Sequence, residues 1–203
     1  MRNKPKVLPF KRRREGKTNY KKRLRLLLSK KPRLVIRMTN QRIIAQLVEF
    51  QNTGDLVKVG VDSYQLKNYG WNFSLKNMPA AYLTGYLIAK KALASNISQA
   101  ILDTGNKSEI KGNKLFAFLK GAVDGGLEIP HSEDLYPSEE KISGQHIGDY
   151  ATKIKENTEV YQRIFSNYLK NKLDPTKMAE QFKKTKEQLE QLTAKKITSI
   201  PFW

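Results

Sequence analysis

The chain has 203 residues, 38 of them Lys or Arg against 19 Asp or Glu, a net charge of +19, and no cysteine. Disulfides and thiolate metal sites are excluded, and two histidines, His131 and His146, are too few for a histidine metal cluster. A hydrophobic content of 39% supports one real core with extensions rather than a chain globular throughout.

The charge is concentrated at the start. Residues 1–37 hold sixteen bases and one acid, Glu15, for a charge of +15, whereas residues 38–203 hold 22 bases against 18 acids. A nearly neutral body with a cationic arm is organised to sit on a polyanion. Residues 1–16 have too little apolar surface to offset their ordering entropy and are expected to be disordered in isolation. In 17–29, Tyr20, Leu24, Leu27 and Leu28 recur at helical spacing, with Lys21, Lys22, Arg23 and Arg25 on the other faces. This predicts a short amphipathic helix capped by Thr18 and ended by Lys31-Pro32. Its leucine cluster is too short to cross a bilayer or to act as a signal core.

A strand meander follows. Leu34-Val35-Ile36, residues 43–50 and residues 56–62 read as strands, separated by turns at Thr39-Asn40-Gln41 and Asn52-Thr53-Gly54-Asp55. In the third strand Val57, Val59 and Val61 alternate with Lys58 and Gly60. An aromatic loop comes next, with Tyr64, Tyr69, Trp71 and Phe73. Asn77-Met78-Pro79 opens a long helix whose Ala81, Gly85, Ala89 and Ala92 form a small-residue stripe, expected to let it approach a sheet. Residues 99–103 read as a short buried strand, 105–114 as a Gly/Lys/Asn loop, 115–124 as a second helix stopped by Gly125-Gly126, and 127–129 as a last strand.

Three strands, then helix, strand, helix, strand, imply right-handed crossovers added to a meander. The fold class is therefore α/β, a mixed sheet with helices packed on it. Residues 130–149 read as an acidic loop, followed by two amphipathic helices, the second opened by Asp174-Pro175 with Met178, Phe182, Leu189 and Leu192 on one face. The chain closes on apolar Ile200-Pro201-Phe202-Trp203, a group expected to be docked. Three parts result: a basic arm with its helix, 1–30; an α/β body, 31–150; and a helical C-terminal extension, 151–203.

The run from Lys11 to Arg23, with Arg12, Arg13, Arg14, Lys17, Tyr20, Lys21 and Lys22, makes the strongest motif, with Arg25 a further candidate on the helix, because guanidinium forks suit phosphate oxygens and each neutralised phosphate releases counterions. Arg33 and Arg37 share strand parity and extend that surface onto one sheet face, with Arg42 beyond them. Trp71 and its aromatic neighbours suit unpaired bases, or else cover the core. The loop bearing Lys107, Lys111 and Lys114 opens a helix whose backbone amides suit a phosphate, without the spacing of a nucleotide-hydrolysing loop.

Catalysis finds no support. Arginines flank the first strand where a metal-binding acid would sit, Asp103 has no evident partner, and Asp62 and Asp124 are a strand end and a helix end. His131 with Glu133, and His146 with Asp149, are pairs without a nucleophile. The rival readings are a basic membrane-surface or protein-interaction module using helix 18–28, and a magnesium-dependent nuclease using Asp103.

Several blocks resemble one family. They are residues 11–20; Pro32-Arg33-Leu34-Val35-Ile36-Arg37 followed by Ile43-Ile44-Ala45-Gln46; Tyr69-Gly70-Trp71; Pro79-Ala80-Ala81-Tyr82-Leu83-Thr84-Gly85; and residues 116–131. Together, over about residues 10–150, the chain is similar to the L-eighteen family of large-subunit ribosomal proteins, in its archaeal form akin to the eukaryotic L-five, and 155–190 looks like that form's extension. The resemblance implies a non-catalytic ribonuclease-H-like fold of the translational machinery. It implies binding to 5S ribosomal RNA in the central protuberance, with contacts to 23S ribosomal RNA and neighbouring ribosomal proteins, in a cytoplasmic ribosome. No cofactor, metal, membrane or small-molecule substrate is expected. Lys114 follows Asn113 in a stretch where relatives usually carry an arginine, which keeps the charge but not the planar fork.

Overall fold

A four-stranded sheet, its strands in the spatial order Gly54–Asp62, Ile43–Gln51, Arg33–Met38 and Ile101–Asp103, carries the molecule, with helices on its inner face and the basic arm across its outer face. The computed structural model describes residues 7–191. A one-turn helix α1 (Lys11–Arg14) and a two-turn helix α2 (Tyr20–Leu27) precede β1 (Arg33–Met38), β2 (Ile43–Gln51) and β3 (Gly54–Asp62), which form the expected antiparallel meander. Then come α3 (Met78–Ala94), β4 (Ile101–Asp103) and α4 (Lys114–Asp124). β4 runs parallel to β1, with Leu34 beside Leu102 and Val35 beside Asp103. The arrangement is the expected α/β class. The last strand is reduced to one parallel bridge, Gln99 with Glu128, because Pro130 bars any continued ladder.

The inner face follows the period of two. Leu34, Ile36, Ala45, Leu47 and Val61 are at most 1% exposed and join one core with Leu83, Leu87 and Ile88 of α3 and Phe118 and Leu119 of α4. β3 departs from strict alternation. A bulge at Leu47/Val48 pairs Leu47 with Val59 but Val48 with Val57. Beyond it the faces exchange, so Val59 and Val61 are buried while Val57 moves to the outer side at 45% exposure.

The small-residue stripe of α3 meets α4 rather than the sheet. A Cβ at Gly85 would overlap the Phe118 carbonyl oxygen, and one at Gly121 would overlap that of Tyr82. The stripe's period is the same for either partner, but only a helix places a carbonyl that close. Asn77 caps α3 by accepting from Ala80 N at 3.0 Å, with Pro79 in the first turn.

The segment read as an acidic loop is largely helical: α5 (Glu139–Ser143) and α6 (Gln145–Ile154) meet at Gly144, whose φ of +81° breaks the periodicity that joins Ile142, Ile147 and Ala151. Two further helices follow, α7 (Thr158–Lys170) and α8 (Met178–Glu190). They pack on the body. Phe182 lies 5.4 Å from the Tyr82 ring, Gln181 Nε2 donates to Gly70 O at 2.7 Å, and Tyr168 meets Phe73 edge-on at 5.5 Å. The ending 200–203 lies outside the described residues.

Candidate nucleic-acid interface

The arm is tied to the body by Asn106 and by Lys22 and Arg23 of α2, and braced internally by Arg12. Asn106 Nδ2 donates to Gly16 O, tying the chain after α1 to the 105–114 loop. Arg12 Nε donates to Thr18 Oγ1 at 2.9 Å. Thr18 is thereby occupied, and Asn19, one residue later and in extended backbone, caps α2 by accepting from Lys22 N at 3.1 Å.

α2 is fastened to the body by its charged side chains. None of its residues is buried, and Leu24 and Leu28 are 61% and 75% exposed. Lys22 and Arg23 make its polar attachments and are half-buried, as are Tyr20, Leu26 and Leu27. Lys22 Nζ donates to Thr104 Oγ1 at 2.6 Å and Glu109 Oε1 at 2.7 Å. Arg23 forms a two-pronged pair with Asp55, at 2.8 and 2.7 Å. The cause lies in the sheet. Its outer face presents Asp55 and, with the neighbouring loop, Asp103 and Glu109 to the helix, so the helix docks by charge.

Arg33 and Arg37 do share that face, but their fates differ. Arg33 is 3% exposed and donates to Asp103 Oδ2 and Asp55 Oδ2, both at 2.8 Å. The expectation that Arg33 meets RNA directly is corrected: both its terminal nitrogens serve buried or half-buried carboxylates. Asp103, read as lacking a partner, is the other half of this pair, because the parallel register sets it beside Val35 and so on Arg33's face. Arg37 stays exposed, its Nη1 donating to Ile36 O at 2.9 Å. Arg42 is exposed in the β1–β2 turn and pairs with Asp62 at 2.9 Å.

The charges respond to this geometry. Hydrogen bonds from Arg23, then Arg33, hold the Asp55 carboxyl below the ordinary carboxylate range. The bond to Asp55 raises the already high pKa of Arg23. Lys22 and then Thr104 lower the Glu109 carboxyl likewise.

Trp71 also requires correction. It is fully buried, its indole N–H donating to Ser74 O at 3.1 Å, so no base stacks on it. Of the loop's aromatics Tyr64 is the exposed one, with Lys67 Nζ 4.4 Å from its ring centroid. At the start of α4 the Asn113 side chain accepts from Leu115 N at 2.8 Å and Phe116 N at 3.3 Å. The expected phosphate seat is thus filled from within, while Lys107, Lys111 and Lys114 remain exposed.

Lys11, Arg12, Arg13, Arg14, Lys17, Lys21 and Arg25 are exposed and Tyr20 half-buried, its ring 5.2 Å from that of Phe10. Between α2 and the outer sheet face lies a cleft of about 490 Å³. Asp55, Gln46 and Glu109 were not read as site residues from sequence, and Lys22, part of the basic motif, turns inward instead. Only the bulge, which turns Asp55 with Val57 to the outer face, brings Asp55 under Arg23. No helix of the described residues is long and apolar enough to cross a membrane, and no group of three or more acidic or histidine residues among them could hold a metal ion.

Residues 6–98 and 94–132 match the family model described as ribosomal large subunit proteins 60S L5 and 50S L18. The chain is 46% identical over 180 residues, 89% of its own length and 92% of the relative's, to the large ribosomal subunit protein uL18 of Korarchaeum cryptofilum (strain OPF8). The chain therefore belongs to the family of 60S L5 and 50S L18, a structural constituent of the large ribosomal subunit with ribosomal RNA and ribosomal proteins as its neighbours, and not an enzyme.

Proposed function

We propose that this protein binds 5S ribosomal RNA through the arm, α2 and the 105–114 loop, and helps anchor it to 23S ribosomal RNA in the central protuberance. The observation that carries this reading is the double use of the basic segment. Lys22 and Arg23 are spent on fastening α2 to the body, which leaves Lys21 and Arg25 outward beside the exposed Lys11–Arg14 cluster. Asn106 joins this surface to Lys107, Lys111 and Lys114. Lys17, Tyr20 and Arg37 complete it. Duplex RNA displays phosphates and 2′-hydroxyls to such a surface while its deep groove stays closed. Arg33 and Arg23 act behind it, as the frame that sets its orientation. The stretch 121–140, with six acids and no base, is proposed to face away from RNA or toward a basic protein.

The test is a filter-binding titration with 5S transcript at varied salt. Neutralising about 8 phosphates gives a slope of log K against log salt near about −7. Removal of residues 1–17 is expected to weaken binding greatly while thermal unfolding of the body changes little. A flat salt response, or no preference for 5S transcript over an acidic polymer of equal charge density, overturns the reading.

A further inference from the structure

The cleft beneath α2 differs chemically from the exposed cationic surface around it. Its floor is the outer sheet face, where Val35 and Val48 are 8% and 5% exposed and Val57 is turned outward by the bulge. Gln46 stands opposite Val35 on the same floor, and Tyr20 forms part of the wall. Two further lining residues, Arg12 and Arg37, are exposed and have no carboxylate partner among the described residues.

We infer that this cleft receives one unstacked nucleotide of the bound RNA, its base on the valine floor and its flanking phosphates on Arg12 and Arg37. The inference rests on the RNA-binding reading. A phosphate alone does not match the floor. Valine methyls give an anion no hydrogen bond, and the deep cations of the lining, Lys22, Arg23 and Arg33, are already engaged with Glu109, Asp55 and Asp103. A base matches it. Valines and a tyrosine ring offer an apolar seat, the Gln46 carboxamide supplies both donors and an acceptor for a base edge, and cations serve the backbone. Specific RNA recognition commonly takes bases splayed out of loops and bulges in this way. The volume, about 490 Å³, lies in the range of small-molecule sites. An apolar side chain from a partner protein would fill the floor but leave Arg12 and Arg37 unused.

The experiment has two parts. The full chain, with methyl-labelled valines, is titrated by NMR with AMP, GMP, CMP and UMP, and separately with inorganic phosphate. The methyls of Val35, Val48 and Val57 are expected to shift with mononucleotides and not with phosphate. In the second part Val57→Trp fills the cleft from a half-exposed position and Gln46→Leu removes the amide. Both variants are expected to melt like the parent and Val57→Trp to bind 5S transcript about tenfold more weakly. Its salt slope is expected to change by at most about 2, the share of the two phosphates on Arg12 and Arg37. Equal shifts with inorganic phosphate, no shifts at all, or wild-type RNA affinity for Val57→Trp overturns the inference, the last assigning the cleft to a protein side chain. Loss of 5S preference in the parent chain instead strikes the RNA-binding reading, and is told apart because the mononucleotide shifts do not depend on it.

Discussion

Helices α2 and α8 read alike as sequence, each with apolar residues at helical spacing and bases between them, yet they dock by opposite rules. α8 puts Met178, Phe182 and Leu189 into the core at 0%, 7% and 0% exposure. α2 leaves Leu24 and Leu28 in solvent and turns Lys22 and Arg23 inward. The difference lies in the surface opposite. α8 meets the apolar and aromatic side of α3 at Tyr82, whereas α2 meets a sheet face bearing carboxylates. Amphipathicity says that a helix has two sides, and the partner surface selects between them.

α8 is the more vulnerable of the two helices. Phe182→Ala removes a ring packed on Tyr82 and is expected to cost about 3–4 kcal/mol, lowering the calorimetric midpoint by roughly 2–4 °C per kcal/mol. A change below about 1 kcal/mol would show that α8 is not part of the core. A comparable effect is expected beneath α2. Arg33→Met leaves Asp103 in a buried position without its cation, costing about 3 kcal/mol by urea denaturation. If Arg33→Met is neutral, the pair is not the keystone of the outer face.

Acid is expected to separate the two helices. The folded-state pKa values of Asp55 and Glu109 are depressed, so their pairs contribute stability above the unfolded-state values. That contribution is lost as pH falls through the lower folded-state values, beneath about pH 4. Amide exchange of Tyr20–Leu27 is then expected to rise before that of α8. Simultaneous loss of protection would mean that α2 is held by something other than these carboxylates. Glu109→Gln, which removes one half-exposed pair, is expected to cost less than about 1 kcal/mol. The smallest effect belongs to Leu24→Lys and Leu28→Lys, expected within about 0.5 kcal/mol of the parent. A large loss from either would place those leucines in a buried contact.

Much of the fold was legible because its signals are local. Val, Ile and Leu at period two mark the meander, Asn77-Met78-Pro79 marks the start of α3, and Gly125-Gly126 ends α4. The missed helices, α5 and α6, hid behind Gly144 and a run of polar residues. At the site, the exposed cations of the arm were readable from charge density alone. Trp71 was misassigned because an aromatic in a polar loop looks the same whether it faces solvent or the core. Thr18 and Asn19 are both good caps, and the choice between them depended on Arg12 occupying the threonine hydroxyl.

By itself, then, the order of residues determined that the chain has a polyanion-seeking arm, a mixed sheet with helical crossovers, and family motifs of a large-subunit ribosomal protein. These follow from composition and short-range periodicity. The tertiary structure alone decided which cations face outward and which are spent inside. That choice turns on a one-residue bulge in β2–β3, which carries Asp55 and Val57 to the outer face, and on the β1–β4 register, which sets Asp103 beside Arg33. Carboxylates brought there from residues 22 and 70 positions away meet Arg33 only after folding. Pairings of that kind leave no trace in local pattern.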